Sequence, residues 1–511
     1  MYCYHCDLTL ENIKFVKNEG KAGAGLFVNY GNPVLSNVEF VDNVASINGG
    51  GMHTHNGAKP ILTDVIFSGN EAVNGGGLMN YLNNDSVLTN VQFLDNYAWS
   101  SGGGIFNASG SDPFLNDVVF SGNDAYQGGG MYNSNSNPIL TNDIFVDNNA
   151  EQGGGIFNEI SDPIITNVTL TGNSSTDGGE GGGMYNYWSS PNLTGVNFNA
   201  NFADNSGGGM FNYSSSPTLT GVTFNGNSTY ISGGGMFNEL SNPTLHEVLF
   251  DGNESGGDGG GMYNYSSSPN LTGVIFNTNF ADNSGGGMYN NLSNPILRQV
   301  LFDTNQTGGD GGGMYNLSCN PVLKESTLFN NAAVHGGAIA NYFSNPTIEN
   351  STYSFNHAID GGAIYNWSSS PIILYSTIFE NDGGIYNHLG SSPLITGTIL
   401  WGNANQIYNN EVTSIPAVTF SDIQGGYSGE GNINLDPLLQ PLADNGGFTM
   451  THALGTGSPA IDTGSPTTCL LTDQRGFFRP IDGDDDVGAR CDMGSYEFGS
   501  AIFNFLPLIM K

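Results

Sequence analysis

Apolar positions along this chain come in short bursts, and the bursts return on a nearly fixed count. Residues 233–264 read GGGMFNELSNPTLHEVLFDGNESGGDGGGMYN, a phrase repeated along most of the sequence. Glycine triplets begin at Gly49, Gly75, Gly102, Gly128, Gly153, Gly181, Gly207, Gly233, Gly259, Gly285 and Gly311, at spacings of 26, 27, 26, 25, 28 and then 26 throughout. A constant period below 30 residues marks a solenoid. Within a unit, Leu219 and Val222 are an odd number apart, whereas Val222 and Phe224 are two apart. Strand neighbours alternate faces, so all three point inward only if the chain turns a corner between Thr220 and Gly221. The spacing thus predicts three short strands and three bends per unit. No helix-period run is left for crossover helices, so strands of successive units must stack in parallel about 4.8 Å apart.

The expected fold is all-β, a right-handed parallel β-helix with an irregular C-terminal cap. About fifteen coils over residues 8–400 would give a rod on the order of 70 Å. Glycines are expected at tight bends, and the Asn of F-x-x-N (Phe224/Asn227, Phe250/Asn253) in a left-handed corner, its amide bonding the next coil. Tyr265–Asn290 repeats Tyr187–Asn212 almost word for word, which points to duplication of coils rather than to one cleft. Three segments follow: repeats over 1–400, terminal coils and cap over 401–498, and an apolar tail over 499–511. The tail reads either as a sorting signal or as a hydrophobic edge strand.

Charge narrows the function classes. Asp and Glu number 46 against 10 Lys and Arg, a net charge of −36. Phosphate backbones need a basic stripe, so nucleic acid is excluded as a partner, and anionic membrane surfaces are disfavoured. No apolar stretch is long enough to cross a membrane. The start, MYCYHCDLTLENIKFVKN, has no signal-peptide pattern and enters the repeat at once, so the sequence is expected to lack its true N-terminus. Cys469 and Cys491 flank a turn-rich loop and are the expected disulfide, implying an oxidising compartment. Cys3 and Cys6 form a lone CxxC, and Cys319 stands alone.

The GG-aliphatic-Tyr/Phe-Asn phrase with F-x-x-N resembles the repeats of polymorphic outer membrane proteins and related bacterial surface β-helix proteins. That resemblance covers roughly residues 10–400 and implies surface exposure and, in several cases, adhesion. No C-terminal autotransporter barrel follows residue 400. DIQGGYSGEGNINLDP (422–437), GSPAIDTG (457–464), DQRGFFRPIDGD (473–484) and CDMGSYEF (491–498) are similar to the choice-of-anchor region of secreted bacterial β-helix proteins. This second resemblance implies export and attachment, and carries over no catalytic residue.

Candidate chemistry is sparse. Many parallel β-helices cleave polysaccharides, using a basic residue beside acids or clustered carboxylates. Between residues 60 and 400 the only Lys or Arg are Arg298 and Lys324, 26 apart and so on equivalent places of adjacent coils. Asp177, Glu180, Asp258 and Asp310 precede glycine triplets and are expected in loops facing water. His53 and His55 share a strand face but lack a third metal ligand. Asp482, Asp484 and Asp486 alternate in a Gly turn, which suits Ca²⁺ or a turn paired to Arg479 and Arg490. Tyr185, Phe211, Phe237, Tyr263, Tyr289 and Tyr315 form a column facing opposite to the aliphatic one, either an exposed sugar-binding stripe or a stacking ladder. The leading expectation is a secreted or surface-attached adhesin or stalk without catalysis, its partners glycans or cell-surface proteins. The alternatives are a β-helix polysaccharide lyase or glycoside hydrolase, and a calcium-dependent glycan-binding module.

Overall fold

A computed structural model describes residues 1–483 and 488–499. The chain is a right-handed parallel β-helix of about 16 turns, with no helix among the described residues. One coil shows how the phrase folds. Gly207–Gly209 lead into strand Met210–Tyr213, and a Pro turn leads to Thr218–Thr220, Thr223–Asn225 and the short Ser228–Thr229. Gly221 sits at the predicted corner with φ of +60°, a conformation that glycine adopts without a Cβ penalty. Each strand pairs in register with its equivalent, Met210 against Met184 and Met236.

The interior is a set of ladders rather than a uniform apolar filling. Phe224 stacks on Phe198 and Phe250 with centroids 4.7 and 4.8 Å away and planes within 7°, all three fully buried. Beside them Asn227 donates from Nδ2 to Asn253 Oδ1 at 2.9 Å, while its backbone N–H donates to the same oxygen at 3.0 Å. The Asn of F-x-x-N is therefore not the left-handed corner. That seat belongs to the residue before it, Gly226 or its equivalents Asp42 and Asp95. The reason is geometric: an inward Asn must keep ordinary strand φ to reach the next coil, so the strain falls on its neighbour. A second buried ladder, Asn186 to Asn212 to Asn238, runs at 2.9 Å per step along the glycine-led strands.

Two compact units share this design. One comprises Met1–Asn270 with Val274–Tyr289, the other Leu271–Gly273 with Asn290 onward. In the second unit the coils run past residue 400, through Ile407–Asn409, Ala417–Thr419 and Asp422–Ile423. The chain after that does not simply close the end of the stack. It turns back along the outside of coils 325–399, hydrogen-bonding Met450 to Thr327, Gln474 to Thr352 and Ser495 to Thr377. Ala460, Ile461 and Met493 bury themselves on Ile399, fixing this cover by apolar contact as well.

Candidate functional site

The strands Ile296–Arg298 and Val322–Lys324 pair so that Arg298 stands beside Lys324, and Lys324 beside Glu349. All three side chains point outward. Glu325 follows in the left-handed corner, with φ of +53°, and is buried. Arg298 donates Nε and Nη2 to its carboxylate at 2.9 and 3.0 Å, a bidentate pair, and Gln299 adds a third bond at 3.1 Å. Lys324 Nζ lies 2.8 Å from Glu349 Oε2. The cover closes over one side, with Asn350 donating to the Thr472 carbonyl at 2.7 Å and Thr449 to the Glu325 carbonyl at 2.9 Å. What remains is a groove of about 290 Å³ bounded by the four charged side chains and Leu470–Thr472. The candidate bases and acids therefore do converge, but as two closed ion pairs.

The aromatic column faces outward, and its ring faces are covered. Tyr185, Phe211, Phe237, Tyr263 and Tyr289 stack with centroids 4.8–5.0 Å apart and planes within 17°. Tyr185, Phe211 and Tyr289 are buried despite facing away from the core. Tyr315, in the second unit, is tilted 30° against Tyr342, which fills the place left by Ala340. The column presents ring edges, and a sugar that stacks needs a ring face.

The acids before the glycine triplets are not simple water-facing loops, apart from the exposed Asp177. Burial pushes the Glu180 carboxyl up to about 7 and Asp258 up to about 6. Asp310 accepts from the Tyr342 hydroxyl at 2.6 Å. Glu180 is bonded to the Tyr185 hydroxyl as Asp310 is to that of Tyr342, so these two acids lie against the aromatic rings rather than in open water.

Other expectations fall out as follows. Cys469 and Cys491 are bonded, and so are Cys3 and Cys6. Cys319 is buried, accepting from the Ser293 N–H in the place that Ser occupies in other coils. His53 sits edge-on to Phe27, and burial, with His55 beside it, drops its pKa to about 3. Among the described residues no three His, Cys, Asp or Glu side chains are placed to hold a metal. Asp482 is exposed, while Asp484 and Asp486 lie outside the described residues. Arg479 lies buried 3.4 Å from Glu497 and donates to the Gly494 carbonyl.

No protein-family model matches the chain, and no curated protein does either. Its residues must speak for themselves.

Two features escaped the sequence reading. The cover's polar network, Thr449, Gln474 and Ser495 against Thr327, Thr352 and Thr377, joins residues more than 100 positions apart. Asp143 occupies the inward place held by Val118 and Val168 in adjacent coils, a break in an apolar column that was visible as such. Its carboxylate accepts from the Val118 and Thr141 N–H groups at 2.8 and 3.1 Å, and burial raises its pKa to about 7.

Proposed function

We propose that this protein is a secreted or cell-surface-attached β-helix scaffold, an adhesin or structural stalk without catalysis of its own. The observation that carries this reading is the fate of the chemistry-bearing side chains. Asn, Ser, Phe and Tyr are spent on coil-to-coil ladders, and Arg298 and Lys324 are each closed on a carboxylate. The resemblance of the repeats to polymorphic outer membrane proteins supports the adhesin role. The anchor-like sequence order over 422–498 supports export and attachment, and paired cysteines fit an oxidising compartment. Partners would be glycans or cell-surface proteins.

A second reading, a polysaccharide-cleaving enzyme, is favoured by the convergence of Arg298, Lys324, Glu325 and Glu349 in one groove. One experiment separates the two. Purified protein is incubated with polyuronates and neutral glycans, and product ends are measured. The scaffold reading expects no depolymerisation; cleavage abolished by Arg298→Ala would replace it with the enzyme.

A further inference from the structure

The turn that leaves each glycine-led strand has a left-handed seat at its tip, and in the second unit that seat alternates in size. Coil by coil it holds Leu292, Ser318, Phe343, Ser368 and Leu389, with φ between +46° and +55°. The N–H of each of the first four donates to a carbonyl of the next coil at 2.9–3.1 Å, so the seats form one column. Leu292, Phe343 and Leu389 are 54%, 58% and 47% exposed. A left-handed seat is costly for any residue with a Cβ, and serine meets that cost without placing a large apolar group in water. With about half of each side chain in water, Leu and Phe add little to the fold there, which points to a use outside the chain.

Charge sets this column apart as well. The chain carries a net charge of −36, yet the turns 291–294, 317–320, 342–345 and 367–370 hold no Asp, Glu, Lys or Arg. In the first unit the equivalent turns include Glu159, Asp162 and Glu239. Depletion of charge around apolar and aromatic side chains characterises the core of an interface. The turns are also held in place from both sides. The Asn345 N–H donates to Asn320 Oδ1 at 2.8 Å, the Ser370 N–H to Asn345 Oδ1 at 2.6 Å, and beneath them the Ser344 N–H to the buried Ser369 Oγ at 2.9 Å. A surface already ordered loses little freedom on docking.

We infer that this ridge docks on the same ridge of a second copy of the chain, side by side and antiparallel. Coils about 4.8 Å apart place alternate large residues about 9.6 Å apart, so each serine marks a gap one side chain wide. A two-fold pairing needs one patch that is complementary to itself, and the one-coil offset between large and small supplies it. With the axis level between Phe343 and Ser368, Phe343 enters at Ser368 of the second copy and Leu389 enters at its Ser318. The large side chains of the two copies then interleave and close the gaps between them. Two chains this acidic repel one another, and the uncharged turns are where they can approach. The inference goes beyond the scaffold reading and does not depend on it.

Sedimentation equilibrium of the full chain measures the association, in about 0.5 M salt to screen the net charge. A monomer–dimer equilibrium with Kd on the order of 100 μM or tighter is expected, weak because the ridge is narrower than a standard interface. Phe343→Ser should weaken it at least about tenfold. Ser368→Phe should weaken it as much, because it fills the gap that Phe343 enters. The double variant, Phe343→Ser with Ser368→Phe, exchanges knob and gap and should restore the dimer to within about threefold of the wild-type Kd. Serine and phenylalanine both occupy this seat in neighbouring coils, so circular dichroism should not change in any of the three. A chain that stays monomeric to about 1 mM overturns the inference. So does a dimer indifferent to the single variants, or a double variant that restores nothing. Stronger association of Ser368→Phe also overturns it, and reads the column as unspecific apolar adhesion. Phosphatidylcholine vesicles are the second probe: a monomeric chain that cosediments with them through Phe343 overturns the pairing and makes the ridge a membrane contact.

Discussion

The same outward column of the second corner strand behaves differently in the two units. In the first unit it carries Val119, Ile144, Thr169, Asn197, Thr223 and Leu249, all at least partly open to water, Ile144 at 42%. In the second, Leu301 is still partly open, and from there the column carries Thr327, Thr352, Thr377 and Ile399, all buried under the C-terminal segment. A bare β-helix face tolerates almost any strand-forming residue, because only packing and register constrain it. A covered face must find partners for its polar atoms, and Thr327, Thr352 and Thr377 find theirs through hydroxyls that bond Met450, Gln474 and Ser495. The corner seat takes glycine or a polar residue in both units, Gly221 and Asn142 in one and Gly397 in the other, but under the cover Tyr375 also holds it at φ of +47°, fully buried with the Arg479 guanidinium over its ring at 5.1 Å. Burial of a whole aromatic ring offsets the backbone strain that a non-glycine residue meets there.

The largest expected break in this contrast is Arg475→Ala. Arg475 is buried, binds Asp473 through Nε and Nη2 at 2.8 and 2.6 Å, and lies 3.6 Å over the Tyr496 ring. Leaving Asp473 uncompensated should destabilise the cover by about 3–5 kcal/mol. Hydrogen exchange should then speed up in residues 445–499 and on Thr327–Thr377, with residues 1–289 unchanged. Thr352→Val comes next. It strands Gln474 Oε1, leaves Ser495 Oγ with Thr377 alone, and is expected to cost about 1–3 kcal/mol in urea denaturation. Ile144→Thr, on the bare face, should change stability by no more than about 0.5 kcal/mol. A loss equal to that of Thr352→Val would erase the distinction between the faces.

A pH series sharpens the comparison from within the first unit. The Asp143 carboxyl ionises near 3.9 when unfolded and near 7 when folded, so between these values the folded chain holds the extra proton. Stability should therefore fall as pH rises from about 4 to about 7, and Asp143→Asn should flatten part of that slope. Glu180 and Asp258 share the direction, leaving a residual slope in the variant. Melting temperatures taken at several pH values read both effects; a wild-type slope of opposite sign would contradict the burial argument.

The coil was legible because its signals are local and repeated: the odd-even break at Gly221, the aliphatic, Phe and Asn columns, and the period itself. Two placements were not. The left-handed seat before Asn227 looks like any turn Gly or Asp, and only the inward reach of the amide decides which residue takes the strain. The cover was hidden because Thr327, Thr352 and Thr377 read as ordinary strand threonines, and their partners lie more than 100 residues away. Local propensity holds no information about such pairings. For the candidate sites, Arg298 and Lys324 on adjacent coils followed from their spacing of 26, but the closing of Arg298 onto Glu325 depended on the corner geometry.

Hydrogen exchange of the intact chain tests the central claim most directly. The Gly494 N–H donates to the Gly397 carbonyl at 2.7 Å, and the Ser495 N–H to Thr377 Oγ1 at 3.0 Å, both inside the covered face. If the C-terminal segment is an integral wall of the second unit, these two amides will exchange as slowly as those of Thr377 and Ile399 beneath them. If they exchange orders of magnitude faster, the segment is a loosely held appendage, and the contrast between bare and covered faces fails.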